Sequence, residues 1–243
     1  MAPVSPVFYN FYNPVVNNKK KTAKQNTAAN TSIHANPIDF SIEMKWLQDS
    51  SIKTALSEVR ELEFDKNDLK YLSDMGVYVP FQSGRECINF IEKENIRIMF
   101  GKPGEENVHA QYEFSKNTIT INEKYRGTKS FPVILAIGEA ILHEAGHAKD
   151  DDGDSSIQEE LNFLGMNAVA HRAFLRKYGE VFNGHTEPII KDGVSIYAKL
   201  FFDADPQKAK LIQRMRDKYG DLPSGDRLHP AGQIATIAKQ QAT

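Results

Sequence analysis

The sequence has little cysteine, no long apolar run and no strong excess of charge, and each absence excludes a class of protein. A single cysteine, Cys87, excludes an intrachain disulfide framework and a cysteine-rich zinc module. Its apolar neighbours Ile88, Phe90 and Ile91 favour a buried, unreactive thiol. No apolar run reaches the roughly 18 residues of a transmembrane helix. The net charge of −2 gives no general attraction to polyanions or membranes, so we expect neither nucleic acid nor membrane as a partner.

The first 38 residues contain no acidic residue at all. They are rich in Asn, Thr, Ala and Pro and carry Lys19, Lys20, Lys21 and Lys24, so that removing four positive charges from −2 leaves −6 for residues 39–243. Such a segment buries too little apolar surface to offset its ordering entropy, and we predict a disordered tail over residues 1–38. It also lacks the apolar core of a secretory signal and the arginines of a transit peptide.

Two interpretations of this tail stay open. It is either a plain flexible N-terminus or a leaderless export signal, because the signals of secreted effector proteins are similarly rich in Ser, Thr and Asn and poor in acids. We expect synthesis in the cytoplasm in both cases, with export as an effector in the second.

The periodicity of apolar residues predicts an α+β domain over residues 39–243. Spacings of three and four and the signals of helix starts and ends predict helices over 52–62 and 66–75 and a third that opens after Ser83 and runs to about Glu94. Alternation then predicts a strand at 96–100 and a β-hairpin from AQYEFS and NTITINEKY. Further helices are predicted over 131–149, 156–178, 187–202 and 206–219, followed by a short terminal helix. We therefore predict an N-terminal helical part, a short antiparallel β-sheet and a C-terminal helical bundle.

A histidine–glutamate motif lies in the most apolar of these helices, in ILHEAGHAKDDDGD at residues 141–154. Residues four apart share one face of an α-helix, so His143 and His147 can direct two imidazoles at one metal ion. Glu144 can reach a water on that metal without binding the metal itself. This is the HExxH arrangement, in which zinc activates water and polarises a carbonyl. The alternative is a hydrated polar stripe, which is costly in so apolar a helix.

A zinc site needs a third protein ligand, and we predict it on the following helix. The DDDGD segment is interpreted as a helix stop and solvated turn, because the pattern HExxHxxGxxH/D would need a glycine at Asp150 and a ligand at Gly153. Gly146 allows close approach, so the next helix can fold back across the site. We favour Glu160 as the ligand because its face continues into polar residues, with Glu159 as the alternative. The other glutamate then compensates the helix dipole.

These stretches resemble a known family. HEAGH in a buried helix followed by a helix that begins with EE resembles the gluzincin-type zinc metallopeptidases. HEAGHAKDD is similar to the active-site helix of lethal-factor-type proteases, and QEELNFLG is similar to a stretch of the NleD-type effector proteases. The resemblance covers about residues 118–175. It implies a zincin-like fold and a zinc endopeptidase in which Glu144 is the general base towards a zinc-bound water.

The resemblance also implies how substrate binds. In these proteases the strand before the active-site helix pairs with an extended peptide, and strand 118–122 occupies that place in the sequence. We therefore expect a monomer that binds a protein or peptide substrate along this strand. The alternative function is a catalytically inactive metal-binding or protein-interaction domain.

A hydrogen-bond donor for the developing oxyanion is expected as well. We favour His171 as this catalytic group, because it lies three turns beyond Glu160 on the same helix face. The other candidates, among which the sequence does not choose, are Tyr178, His185, Tyr197 and His229.

Overall fold

The computed structural model of the protein describes residues 49–104, 108–150, 154–191, 194–203 and 205–243. The predicted tail, the domain start at residue 39 and residues 151–153 of the acidic turn lie outside these ranges. The helices are α1 (Ser50–Arg60), α2 (Lys66–Asp74), α3 (Gly84–Lys93), α4 (Phe131–Asp150), α5 (Ile157–Tyr178), α6 (Pro188–Lys191), α7 (Val194–Phe202), α8 (Asp205–Tyr219) and α9 (Gln233–Gln240). The strands are β1 (Arg97–Gly101), β2 (Ala110–Glu113) and β3 (Thr118–Asn122).

The predicted α+β class is confirmed, and each of the first three helices begins at a capping side chain. The side chains of Asp49, Asp65 and Ser83 each accept a hydrogen bond from an N–H group in the first turn of the helix that follows. These bonds satisfy groups that the start of a helix leaves unpaired. The N-terminal helical part therefore agrees with the sequence-based prediction.

The sheet differs from the predicted antiparallel arrangement. β2 and β3 form the predicted antiparallel hairpin, but β1 pairs with β3 in parallel, and the strand order is β1-β3-β2. A peptide that pairs with residues 118–122, as predicted, would need a free edge on that strand, but β3 is paired on both sides. The two edge strands of the sheet are β1 and β2.

The apolar helix α4 occupies the middle of the molecule. It contacts α1, α3, α5 and α6 as well as the strands β2 and β3. Thirteen of its residues are buried, which agrees with the long apolar run that predicted a helix covered on most sides. The HEAGH motif consequently lies where the sheet, α4 and α5 meet.

The helix α5 crosses α4 and supports the C-terminal helices. Ser156 begins it with a capping box, in which the Ser156 side chain accepts from the Glu159 N–H and the Glu159 side chain accepts from the Ser156 N–H. α7 and α9 pack against α5, and α8 packs against both. Among the helices in the described ranges, none combines the length and hydropathy that a membrane span requires.

Candidate metal centre

Three side chains from α4 and α5 form a cluster that could hold a metal ion. One ligand atom from each of His143, His147 and Glu160 lies within 4.8 Å of the others. The imidazoles are mostly buried, with 12% and 14% of their side-chain surfaces exposed, and the Glu160 carboxylate is fully buried. The predicted ligand set is therefore brought together, with Glu160 rather than Glu159 facing both imidazoles.

The spacing within the cluster fits a shared ion better than direct hydrogen bonds. His143 Nε2 lies 3.5 Å from Glu160 Oε2, and His147 Nε2 lies 3.5 Å from Glu160 Oε1. A tetrahedral ion with bonds of about 2.0 to 2.2 Å separates its ligand atoms by roughly 3.3 to 3.6 Å. Both Glu160 oxygens are buried without a hydrogen-bond partner among the described residues. A buried carboxylate left in this way is costly unless a cation completes it.

Glu159 orients one of the two imidazoles. Its Oε1 lies 2.7 Å from His147 Nδ1, and its Oε2 accepts the Ser156 N–H of the capping box. The carboxylate accepts the Nδ1 proton, so that when the ring gives up its second proton to a metal ion, the lone pair of Nε2 faces the cluster. The two adjacent glutamates thus have different roles. Glu160 is a candidate ligand, whereas Glu159 orients the candidate ligand His147 and caps the start of α5.

The carboxylates strongly perturb the cluster's titration in the absence of metal. Burial by itself would lower the pKa of His147, but the hydrogen bond that His147 donates to Glu159 and the charges of Glu160 and Glu144 raise it to about 9. Burial would likewise raise the pKa of Glu160, but the adjacent imidazoles of His143 and His147 lower it to about 2. A metal ion that binds here therefore takes the place of a proton.

Glu144 points from α4 towards the edge of the sheet. Its Oε2 accepts a hydrogen bond of 2.7 Å from the backbone N–H of Tyr112 in β2. N–H groups alternate in direction along an antiparallel strand, and the Asn122 N–H to His109 carbonyl bond places residue 109 on the side of β3. Tyr112 therefore directs its N–H to the outer edge of β2. The carboxylate lies between the candidate metal ligands and this edge.

A phenylalanine ring forms the floor of the cluster. Phe163 of α5 presents itself edge-on to His147 and His143, with ring centroids 4.7 and 5.9 Å away. A Cβ atom added at Gly146 would lie only 2.7 Å from the Phe163 ring. The absence of a side chain at Gly146 thus leaves space for the Phe163 ring, not for a backbone segment as expected from the sequence. This packing lets α5 approach α4 closely.

Tyr219, at the end of α8, is a neighbour of the cluster that the sequence did not reveal. Its hydroxyl is buried and has no hydrogen-bond partner among the described residues. Burial first, and then the nearby Glu160, Tyr197 and Glu144, raise its pKa well above the usual value. No sequence spacing links it to HEAGH, since α8 reaches the site through tertiary packing that includes its contacts with α7 and α9.

The structure does not bring His171 to the cluster. It lies about 16 Å beyond Glu160 along α5, where its Nδ1 is 2.9 Å from Glu139 Oε1 and its ring stacks on Phe182. This pair fixes the imidazole away from the candidate ligands, so we do not retain His171 as the oxyanion donor.

The other candidate donors to the oxyanion lie in different parts of the molecule. The Tyr178 hydroxyl bonds to Glu58, and His185 pairs with Glu187. Tyr197 is buried beside Tyr219. His229 contacts Asp150, the last residue of α4, at 2.9 Å.

Comparison with known proteins adds no assignment to this geometry. No protein-family profile matches the chain, and no curated protein or solved structure matches it.

Proposed function

We propose that the protein is a zinc-dependent endopeptidase of the zincin type. The observation that carries the proposal is the Glu160 carboxylate, which is fully buried and unbonded and lies 3.5 Å from each of two imidazole nitrogens. Two histidines with one glutamate and an open fourth position are the ligand set of hydrolytic zinc sites. The resemblance of HEAGH and the EE-containing helix to gluzincins supports the same function.

Each residue of the site would have its own role in peptide hydrolysis. His143, His147 and Glu160 hold the ion, and zinc bound there supplies polarisation of the substrate carbonyl and acidification of a water. Glu144 accepts the proton of the attacking water and passes it to the amide nitrogen of the leaving group. Tyr219 donates a hydrogen bond to the oxyanion, in the role first assigned to His171.

The substrate would bind along β2 rather than β3. β2 is the sheet edge that contacts α4, and its Tyr112 N–H already reaches the proposed base Glu144. An extended peptide can add to such an edge through main-chain hydrogen bonds. Its scissile bond would then lie close to Glu144.

The experiment compares the wild type with Glu144→Gln and Tyr219→Phe. We expect one zinc ion per chain in all three proteins, because neither substituted residue is a ligand. Cleavage of an unfolded protein substrate should fall about 10²- to 10⁴-fold in Glu144→Gln. In Tyr219→Phe, kcat should fall about 10²- to 10³-fold. Zinc content is measured by elemental analysis and cleavage by mass spectrometry of the products.

Other outcomes would contradict the proposal in distinct ways. Zinc binding without cleavage of any unfolded substrate by the wild type would indicate an inactive metal-binding domain. Absence of zinc in metal-replete protein would indicate an interaction module. Full activity in Glu144→Gln would refute the assignment of the base.

A further inference from the structure

The loop between α8 and α9, residues 220–232 and here called the C-terminal loop, covers the start of α5. The carbonyls of Pro223 and Ser224 accept hydrogen bonds from the N–H groups of Ile157 and Gln158, at 2.9 and 3.2 Å. A helix start leaves these N–H groups without partners inside the helix. The loop thus holds the turn of α5 that carries Glu160.

The hydrogen bonds around Asn162 fix the orientation of its amide. Its Oδ1 lies 2.8 Å from the Tyr78 N–H and 2.8 Å from Gln158 Nε2, and a backbone N–H can only donate. The Asn162 amide nitrogen therefore faces His229 Nδ1, at 2.8 Å. His229 must accept this bond, so its proton lies on Nε2 and is donated to Asp150 Oδ1 at 2.9 Å.

His229 consequently bridges the two helices that carry the candidate ligands. Asp150 follows His147 by three residues on α4, and Asn162 follows Glu160 by two residues on α5. The Asp150 and His229 side chains are only 4% and 13% exposed. The His229 ring also packs edge-on against Phe163, with centroids 5.8 Å apart, and Phe163 in turn contacts both ligand imidazoles.

We infer that His229 is a positioning residue for the metal site, which sets the separation of α4 and α5 at the ligands. The inference rests on the proposed metal site but not on peptide hydrolysis. Glu160 must remain 3.5 Å from two imidazoles that attract it, and a ligand geometry of this kind needs support from outside the ligand set. His229 supplies that support through one bond to each helix.

The test uses the full chain and three variants at this position. His229→Ala removes both bonds, His229→Asn keeps an acceptor for Asn162, and His229→Gln keeps a donor for Asp150. His185→Ala is the control, because His185 pairs with Glu187 outside this network. Zn²⁺ affinity is measured by competition with a chelator, and the visible spectrum of the Co²⁺-loaded protein reports the coordination geometry. The melting temperature of each metal-free protein separates loss of stability from loss of positioning.

We expect His229→Ala to lower Zn²⁺ affinity about 10- to 100-fold and to change the Co²⁺ spectrum, with partial recovery in the Asn and Gln variants. If the alanine variant does not fold, those two variants carry the test. Wild-type affinity and spectrum in folded His229 variants would overturn the inference while leaving the metal site intact. Failure of the wild type to bind either ion would overturn the proposed function and the inference together.

Discussion

Two buried histidine–glutamate arrangements join α4 to α5, and they are built differently. In the first, His171 and Glu139 form a hydrogen bond of 2.9 Å, and Phe182 stacks on the imidazole. In the second, the Glu160 carboxylate stands 3.5 Å from both His143 and His147, and neither of its oxygens forms a hydrogen bond with a described residue. In the first arrangement the imidazole and the carboxylate satisfy each other by a hydrogen bond. In the second the imidazole nitrogens and the carboxylate oxygens are held apart, which leaves room for an ion between them. This difference distinguishes structural polar groups from candidate ligands.

The largest expected effect is on Zn²⁺ affinity, when one glutamate of each arrangement is replaced by glutamine. Glu160→Gln should lower Zn²⁺ affinity by more than about 100-fold, because losing a ligand costs more than losing a supporting residue. Glu139→Gln should change that affinity less than about twofold but lower the free energy of unfolding by about 1.5 to 3 kcal/mol. Chelator competition and urea unfolding measure the two quantities. Equal loss of affinity in both variants would remove the distinction between the arrangements.

The second prediction concerns protons in the metal cluster. Although burial lowers the pKa of His147, the hydrogen bond that it donates to Glu159 and the nearby carboxylates raise that pKa to about 9. Because zinc needs the neutral imidazole, binding at pH 7 should release about one proton, and affinity should fall about tenfold per pH unit below 9. Calorimetry in buffers of different ionisation enthalpy measures the release. Glu139→Gln should release the same number of protons, and a pH-independent affinity would contradict the prediction.

A smaller effect is expected from a substitution at Gly146, which packs against the Phe163 ring beneath the two imidazoles. Gly146→Ala would place a Cβ atom 2.7 Å from the Phe163 ring. The clash should lower the free energy of unfolding by about 1 to 3 kcal/mol and weaken zinc binding, because the displaced ring contacts both imidazoles. Adding Phe163→Leu should recover part of the stability. If the double variant were no more stable than Gly146→Ala, the clash would not be the cause.

The smallest effect concerns His109, a partly buried histidine outside both arrangements, whose partner is the uncharged Tyr125 hydroxyl. His109 Nδ1 lies 2.6 Å from the Tyr125 hydroxyl, and burial, followed by the charges of Lys124 and Lys218, lowers the pKa of His109 to about 4. Between about pH 6.5 and 4 the unfolded chain binds more protons than the folded one, so stability falls as the pH falls through this window. The slope is at most about 1.4 kcal/mol per pH unit. His109→Gln should show a flatter dependence in urea unfolding, and an unchanged slope would contradict this.

The parts of the fold that depend on local patterns could be predicted. The capped starts of α3 and α5, the hairpin and the buried α4 all follow from residues near one another in sequence. His143, His147 and Glu160 could be placed together because helical spacing fixes which residues share a face.

The remaining features depend on contacts between distant segments. The parallel pairing of β1 with β3 places β3 in the middle of the sheet and leaves β1 and β2 at its edges, and no local pattern distinguishes these strands. Tyr219 and His229 reach the site through the packing of α8 and the C-terminal loop. His171 shares a face with Glu160, but spacing along α5 could not show that Glu139 would hold it three turns away.

The capping box at the start of α5 has a consequence for how the sequence can change. Ser156, Glu159 and Glu160 use one helical turn to begin the helix, orient His147 and face the candidate metal site. Each added or deleted residue rotates an α-helix by about 100°, so a single insertion between Ser156 and Glu160 would misplace all three contacts at once. Substitutions in this turn can be compensated one at a time, whereas changes in its length cannot. We therefore expect natural length variation to fall outside residues 156–160.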